Sequence, residues 1–131
     1  MDNKNLALLS DLIQMVKADG EIKISEIEFL QKLALRMNIS EKKLIQLFEN
    51  PENSNTAYDE VERITQFYKL ILVMKIDNET HPAELIALKN FGLKMGIRPV
   101  VADQILYKME KAKGQTVPAE ELLKIFKIYY N

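Results

Sequence analysis

The chain repeats itself. Leu12-Ile13-Gln14-Met15-Val16-Lys17-Ala18-Asp19-Gly20-Glu21 aligns with Leu70-Ile71-Leu72-Val73-Met74-Lys75-Ile76-Asp77-Asn78-Glu79, every pair offset by 58 positions. The match continues without a gap. Glu26 falls on Glu84, Leu30 on Leu88, Met37 on Met95 and Ile39 on Ile97. Farther on, Leu44, Leu47 and Phe48 meet Ala102, Ile105 and Leu106, all apolar. A sequence that occurs twice with its apolar pattern intact has to fold twice into related structures. Two copies are too few for an extended array of repeats. They predict a bundle with approximate internal two-fold symmetry.

The period of that pattern is helical. Leu8, Leu9, Leu12, Ile13, Met15 and Val16 recur by threes and fours, which lines one face of a helix over about 5–18. A second helix is expected from Ser25, where Ser25 and Glu28 have capping-box spacing, with Ile27, Phe29, Leu30, Leu33, Ala34 and Met37 as its stripe. A third starts at Ser40 and carries Leu44, Ile45, Leu47 and Phe48, before the loop Asn50-Pro51-Glu52-Asn53-Ser54-Asn55. The second half resumes near Tyr58 with a long helix through Val61, Ile64, Phe67, Ile71, Leu72 and Met74 that is expected to end near Asp77-Asn78. Pro82 and Pro99 suit the first turns of the next two helices, and Gly96 and Gly114 punctuate them. A last helix runs from about Pro118 to Tyr129. The reading is all-α: a single-domain bundle of about seven helices around one core. It comprises repeats over about 5–50 and 58–112 and a closing helix over about 118–130, and nothing reads as a strand. A length of 131 residues, 47% hydrophobic and 28% charged, suits one globular domain.

Composition excludes several functions. Lys plus Arg number 18 against 19 Asp plus Glu, a formal charge of −1, without the basic surplus of a nucleic-acid binder. There is no cysteine and one histidine, so disulfides, thiolate metal sites and multi-histidine zinc sites are ruled out. No Ser/His/Asp set, phosphate loop or metalloprotease spacing occurs, and an enzyme is not expected. The run Leu70–Met74 is too short to span a bilayer, which takes about 20 residues. With no signal-peptide pattern at the start, the expectation is a cytoplasmic protein.

The chemistry, where there is any, sits in the two repeated turns. These are Asp19-Gly20-Glu21-Ile22-Lys23-Ile24-Ser25-Glu26 and Asp77-Asn78-Glu79-Thr80-His81-Pro82-Ala83-Glu84. The Glu of each opens a helix, where the N-terminal dipole favours negative charge; the Asp closes the preceding helix, where it does not. That Asp needs a backbone N–H, a Lys or a bound cation. With Gly20 as the central glycine of an EF-hand-like calcium loop, Ile22 and Glu26 fit, yet Met15 and Lys17 stand at the first two ligand positions. A standard calcium cage is not encoded. Two readings stand: the acids only cap their turns, or Asp19, Glu21 and Glu26 in one turn and Asp77, Glu79 and Glu84 in the other hold a hard divalent cation such as calcium or magnesium. His81, before a proline at a helix start, reads as a capping residue rather than a ligand. The last helix, Leu122-Leu123-Lys124-Ile125-Phe126-Lys127-Ile128-Tyr129-Tyr130, is apolar on more than one side. Either it closes the core, or it also docks on a protein partner or on a second copy to give a homodimer.

The string Lys-Ala-Asp-Gly-Glu-Ile (17–22), then Ser-Glu-Ile-Glu-Phe-Leu (25–30) and Leu-Ala-Leu-Arg-Met-Asn-Ile-Ser (33–40), resembles the TerB-like family of tellurite-resistance proteins and related domains. The likeness covers the first half well and the second more loosely, with Asn78 for Gly20 and Thr80-His81-Pro82 for Ile22-Lys23-Ile24. It implies an all-helical, two-half fold and motif acids at Asp19, Glu26, Asp77 and Glu84. It also implies metal binding through those acids and an association with stress-response complexes near the membrane.

Overall fold

Each apolar stripe is an amphipathic segment too short to be stable as an isolated helix, so packing of the stripe is what holds it helical. The computed structural model describes residues 3–18, 20–50, 59–77, 79–112 and 117–130. Among the described residues there are seven helices and no strand: α1 (Asn3–Ala18), α2 (Ile24–Arg36), α3 (Glu41–Glu49), α4 (Glu60–Met74), α5 (Pro82–Lys94), α6 (Pro99–Lys111) and α7 (Ala119–Tyr130). The expected Gly114 break lies outside the described residues. The chain divides into two compact units, Met1–Ala57 and Tyr58–Asn131, and the division falls where the sequence repeat restarts.

In the first unit α1, α2 and α3 pack against one another. Leu9, Leu12, Ile13 and Val16 of α1, Phe29, Leu30 and Leu33 of α2, and Leu44 and Leu47 of α3 are buried. In the second unit α5 packs on α4 and α6, and α7 packs on α4 and α6. Phe67, Leu70 and Ile71 of α4, Leu88 and Phe91 of α5, Val101 and Ile105 of α6, and Leu122 and Ile125 of α7 are buried. Val117, just before α7, donates its N–H to Tyr68 Oη at 2.9 Å. Lys108 of α6 meets Glu121 of α7 at 3.1 Å. The ammonium groups of Lys108 and Lys124 hold the Glu121 carboxyl below the usual carboxylate range. Ile45 and Leu72, expected on apolar stripes, are exposed instead.

The repeat survives in the backbone. α2 and α5 have the same 13-residue length and begin 58 positions apart; α3 and α6 also begin 58 positions apart. The Glu26 and Glu84 N–H groups close the first turns on Lys23 and His81 carbonyls at 3.0 and 2.9 Å. Both helices end on a left-handed residue, Asn38 (φ 58°) or Gly96 (φ 87°). The next N–H then reaches back to the helix, Ile39 to Ala34 O at 2.8 Å and Ile97 to Gly92 O at 2.6 Å. This is the Schellman closure, which satisfies carbonyls left over at a helix end.

Three differences separate the units. First, Leu9 and Ala34 in one stand where Phe67 and Gly92 stand in the other. A Cβ placed on Gly92 would lie 2.8 Å from Phe67 Cε1, so the larger ring goes with the missing side chain. Second, α1 runs to Ala18, whereas α4 stops at Met74, short of the expected Asp77-Asn78 end, with Lys75 left-handed (φ 53°). Ile76 stands where the first unit has the exposed Ala18, and Ile76 is buried. Burying an isoleucine contributes roughly 1.5–3 kcal/mol, against about 1–2 kcal/mol for a left-handed Lys, so the helix ends in time to turn Ile76 inward. Third, α6 runs to Lys111, whereas α3 stops at Glu49. Pro51 follows Asn50 in the sequence and disfavours helix at the residue before it; nothing comparable interrupts Tyr107–Lys111. The expected Ser25–Glu28 capping box is not formed either. The N-cap of α2 is Lys23, without a side-chain cap, and Ser25 lies inside the first turn.

Candidate functional site

The second acidic turn follows directly from the early end of α4. Asp77 is not the C-terminal residue of that helix, as the sequence predicts, but the first residue of a separate turn. Its Oδ1 accepts the Glu79 N–H at 2.9 Å and the Thr80 hydroxyl at 3.2 Å. The Asp77 N–H donates in return to Thr80 Oγ1 at 2.8 Å. Of the three partners an Asp needs to choose among, this one has a backbone N–H, supplemented by a hydroxyl. His81 then caps α5: its Nδ1 accepts the Ala83 N–H at 3.1 Å, and Pro82 takes the first helical position, where no N–H is required. His81→Ala is expected to lower stability by about 0.5–1 kcal/mol, and His81→Asp to retain or exceed the original, both read from the urea midpoint. An alanine variant as stable as the original would remove the capping role.

Among the described residues no three His, Asp or Glu side chains gather closely enough to hold a metal ion. Asp77, Glu79 and Glu84 are all described, with Glu79 exposed and Glu84 half-buried in the first turn of α5. In the first turn Asp19 lies outside the described residues, Glu21 is exposed, and Glu26 is buried in the first turn of α2. Gly20 there is left-handed (φ 73°). Lys17, next to this turn, sends its Nζ to the Phe48 carbonyl at 2.7 Å, on the last turn of α3 where cations are favoured.

What the second turn does border is a groove. A cavity of about 540 Å³ opens between α5 and α6 and reaches Ile76 and Asp77. Ile76, Leu85, Leu106 and Met109 are its more buried, apolar members. Asp77, Asp103, Tyr107 and Glu110 are exposed at its edge. Lys89 of α5 bridges to Asp103 of α6 at 2.7 Å and ties the two helices together. Lys111 Nζ sits 5.3 Å from the centre of the Tyr107 ring. Met109 and Glu110 belong to the extra turn of α6 that α3 lacks. Sequence reasoning missed this groove. Its signal was present in the repeat alignment, where Asp103 replaces Ile45 and the helix continues past the position of Pro51.

Compared with protein-family models, with curated proteins and with solved structures, the chain matches none. No helix among the described residues is long and apolar enough to cross a membrane. The class that fold and groove define is a duplicated all-helical protein whose second repeat carries an acid-edged apolar groove.

Proposed function

We propose that this chain is a non-catalytic interaction module of the TerB-like kind, and that it docks a protein partner in the α5–α6 groove. The observation that carries this reading is the groove itself. It is apolar within and has an exposed tyrosine at its edge, and tyrosine is among the residues that most often dominate binding energy. A metal-free mode is favoured over cation binding in the second turn, because both hydrogen bonds to the Asp77 carboxylate are local ones that shape the turn. The sequence resemblance is what assigns the module to stress-response complexes linked to the membrane. The test is capture from native extract on the full chain, on Tyr107→Ala and on Leu35→Ser, with and without a chelator. Leu35 is a highly exposed leucine on α2 and serves as the control for general apolar stickiness. A partner retained by the original chain and by Leu35→Ser but lost by Tyr107→Ala is expected, unaffected by the chelator. Equal retention by all three proteins would overturn groove docking, and loss with the chelator would restore the cation reading.

A further inference from the structure

We infer that α3 is the contact face of a homodimer, in which two copies of this helix lie antiparallel across a two-fold axis beside Ile45. Lys42, Ile45 and Glu49 follow one another by three and four along α3, so they share one face. All three are exposed, Ile45 by 52%. The repeat marks Ile45 as a departure. At the positions of Gln31 and Ile45 the second unit has Lys89 and Asp103, which bridge α5 to α6 at 2.7 Å. In the first unit an amide and an exposed isoleucine replace that ion pair. Leu35, four positions past Gln31 on the same face of α2, is 75% exposed and extends the apolar patch.

The charges on either side of Ile45 run against their own helix. A helix N-terminus favours anions and a C-terminus favours cations. Lys42 stands in the first turn of α3, and Glu49 is its last residue, with no basic residue in the last turn. Lys17, which reaches that end, is held by the Phe48 carbonyl. Neither Lys42 nor Glu49 forms an ion pair among the described residues. A second copy laid antiparallel supplies what each end lacks. Glu49 of the second copy comes to Lys42, Lys42 of the second copy comes to Glu49, and the two Ile45 side chains meet near the axis. A two-fold contact demands this self-complementarity: where residue i meets residue j, j meets i. The two charges are about 10 Å apart along the helix, with Ile45 close to midway. The face is small beside the about 800 Å² per partner of a standard interface. A weak dimer follows, with a Kd of about 10–500 µM, and it weakens as salt screens its ion pairs.

The test is sedimentation equilibrium on the full chain, loaded up to about 1 mM. A concentration-dependent dimer is expected. Lys42→Glu and Glu49→Lys each set like charges together at both ends, and each is expected to raise the Kd about tenfold or more. Ile45→Asp, which copies the second unit, is expected to do the same. The double variant carrying Lys42→Glu and Glu49→Lys is expected to dimerise again, and so is an equal mixture of the two single variants. Both charge changes also suit the dipole of α3, so melting curves of the dilute variants are expected to match or exceed the original, which separates lost association from lost folding. A chain that stays monomeric to about 1 mM would overturn the dimer. A dimer indifferent to Ile45→Asp and to the single charge changes, or one that the double variant does not restore, would overturn α3 as its face.

Discussion

Gly92→Ala is expected to destabilise the second unit by up to about 2 kcal/mol, and adding Phe67→Leu is expected to recover most of that loss. In a helix interior, replacing glycine by alanine ordinarily gains about 1 kcal/mol. Here the new methyl would sit 2.8 Å from Cε1 of a ring that is itself wholly buried and has nowhere to swing. Overpacking of a filled core costs about 1–3 kcal/mol, which exceeds the gain in propensity. Phe67→Leu alone opens a cavity and is destabilising on its own. Together the two changes install the pair Leu and Ala that already stands at positions 9 and 34 of the first unit. A coupling of about 1–3 kcal/mol between them is therefore expected, within the range seen for touching residues. Urea titration followed by circular dichroism gives all four corners of the cycle. Additive effects, or a Gly92→Ala protein more stable than the original, would show that the two positions are not a complementary pair.

Gly96→Val is expected to cost about 2–3 kcal/mol, and Gly96→Asn about 1 kcal/mol or less. Gly96 ends α5 with φ at 87°, a conformation that costs an L-residue roughly 1–2 kcal/mol and a β-branched one more. A Cβ there would also approach Arg63 Nη1 to 2.6 Å, so the guanidinium has to move. That move is cheap at the end of a long side chain and adds little for asparagine. Asparagine tolerates the left-handed region and already occupies it at the matching position, Asn38. The reciprocal Asn38→Gly is expected to change stability by only a few tenths of a kcal/mol, as for caps elsewhere. Thermal melts that rank valine and asparagine together at position 96 would remove backbone conformation as the reason for this glycine.

Much of the fold was legible before any coordinates. The 58-residue offset set the division into related units, and it reappears in matched helix starts and matched Schellman closures. Ser40, Pro82, Gly96 and Pro99 each mark the helix boundary that their own backbone chemistry requires. Where local signals competed, the nearest sequence motif did not always win. Ser25 and Glu28 have the spacing of a capping box, yet α2 begins one residue earlier and leaves both inside it. The acidic turns keep the Asp–Glu spacing in both copies, while Asn78 and Thr80-His81-Pro82 already set the second apart from Gly20 and Ile22-Lys23-Ile24 in the first. They diverge because Ile76 is buried and Ala18 is not, a difference of one side chain that ends α4 early.

Helix periodicity, caps and turn residues act through hydrogen bonds and dihedral angles within a few positions, so the sequence alone determined that this chain is all-helical, where its helices lie, and that its two halves are copies. The groove depends instead on residues from three places, the end of α4, the face of α5 and the extra turn of α6. Side chains distant in sequence acquire a common surface only when helices pack, and packing is set by which large residue fits against which small one. Tertiary structure therefore decided that Asp77 shapes a turn and borders an apolar groove.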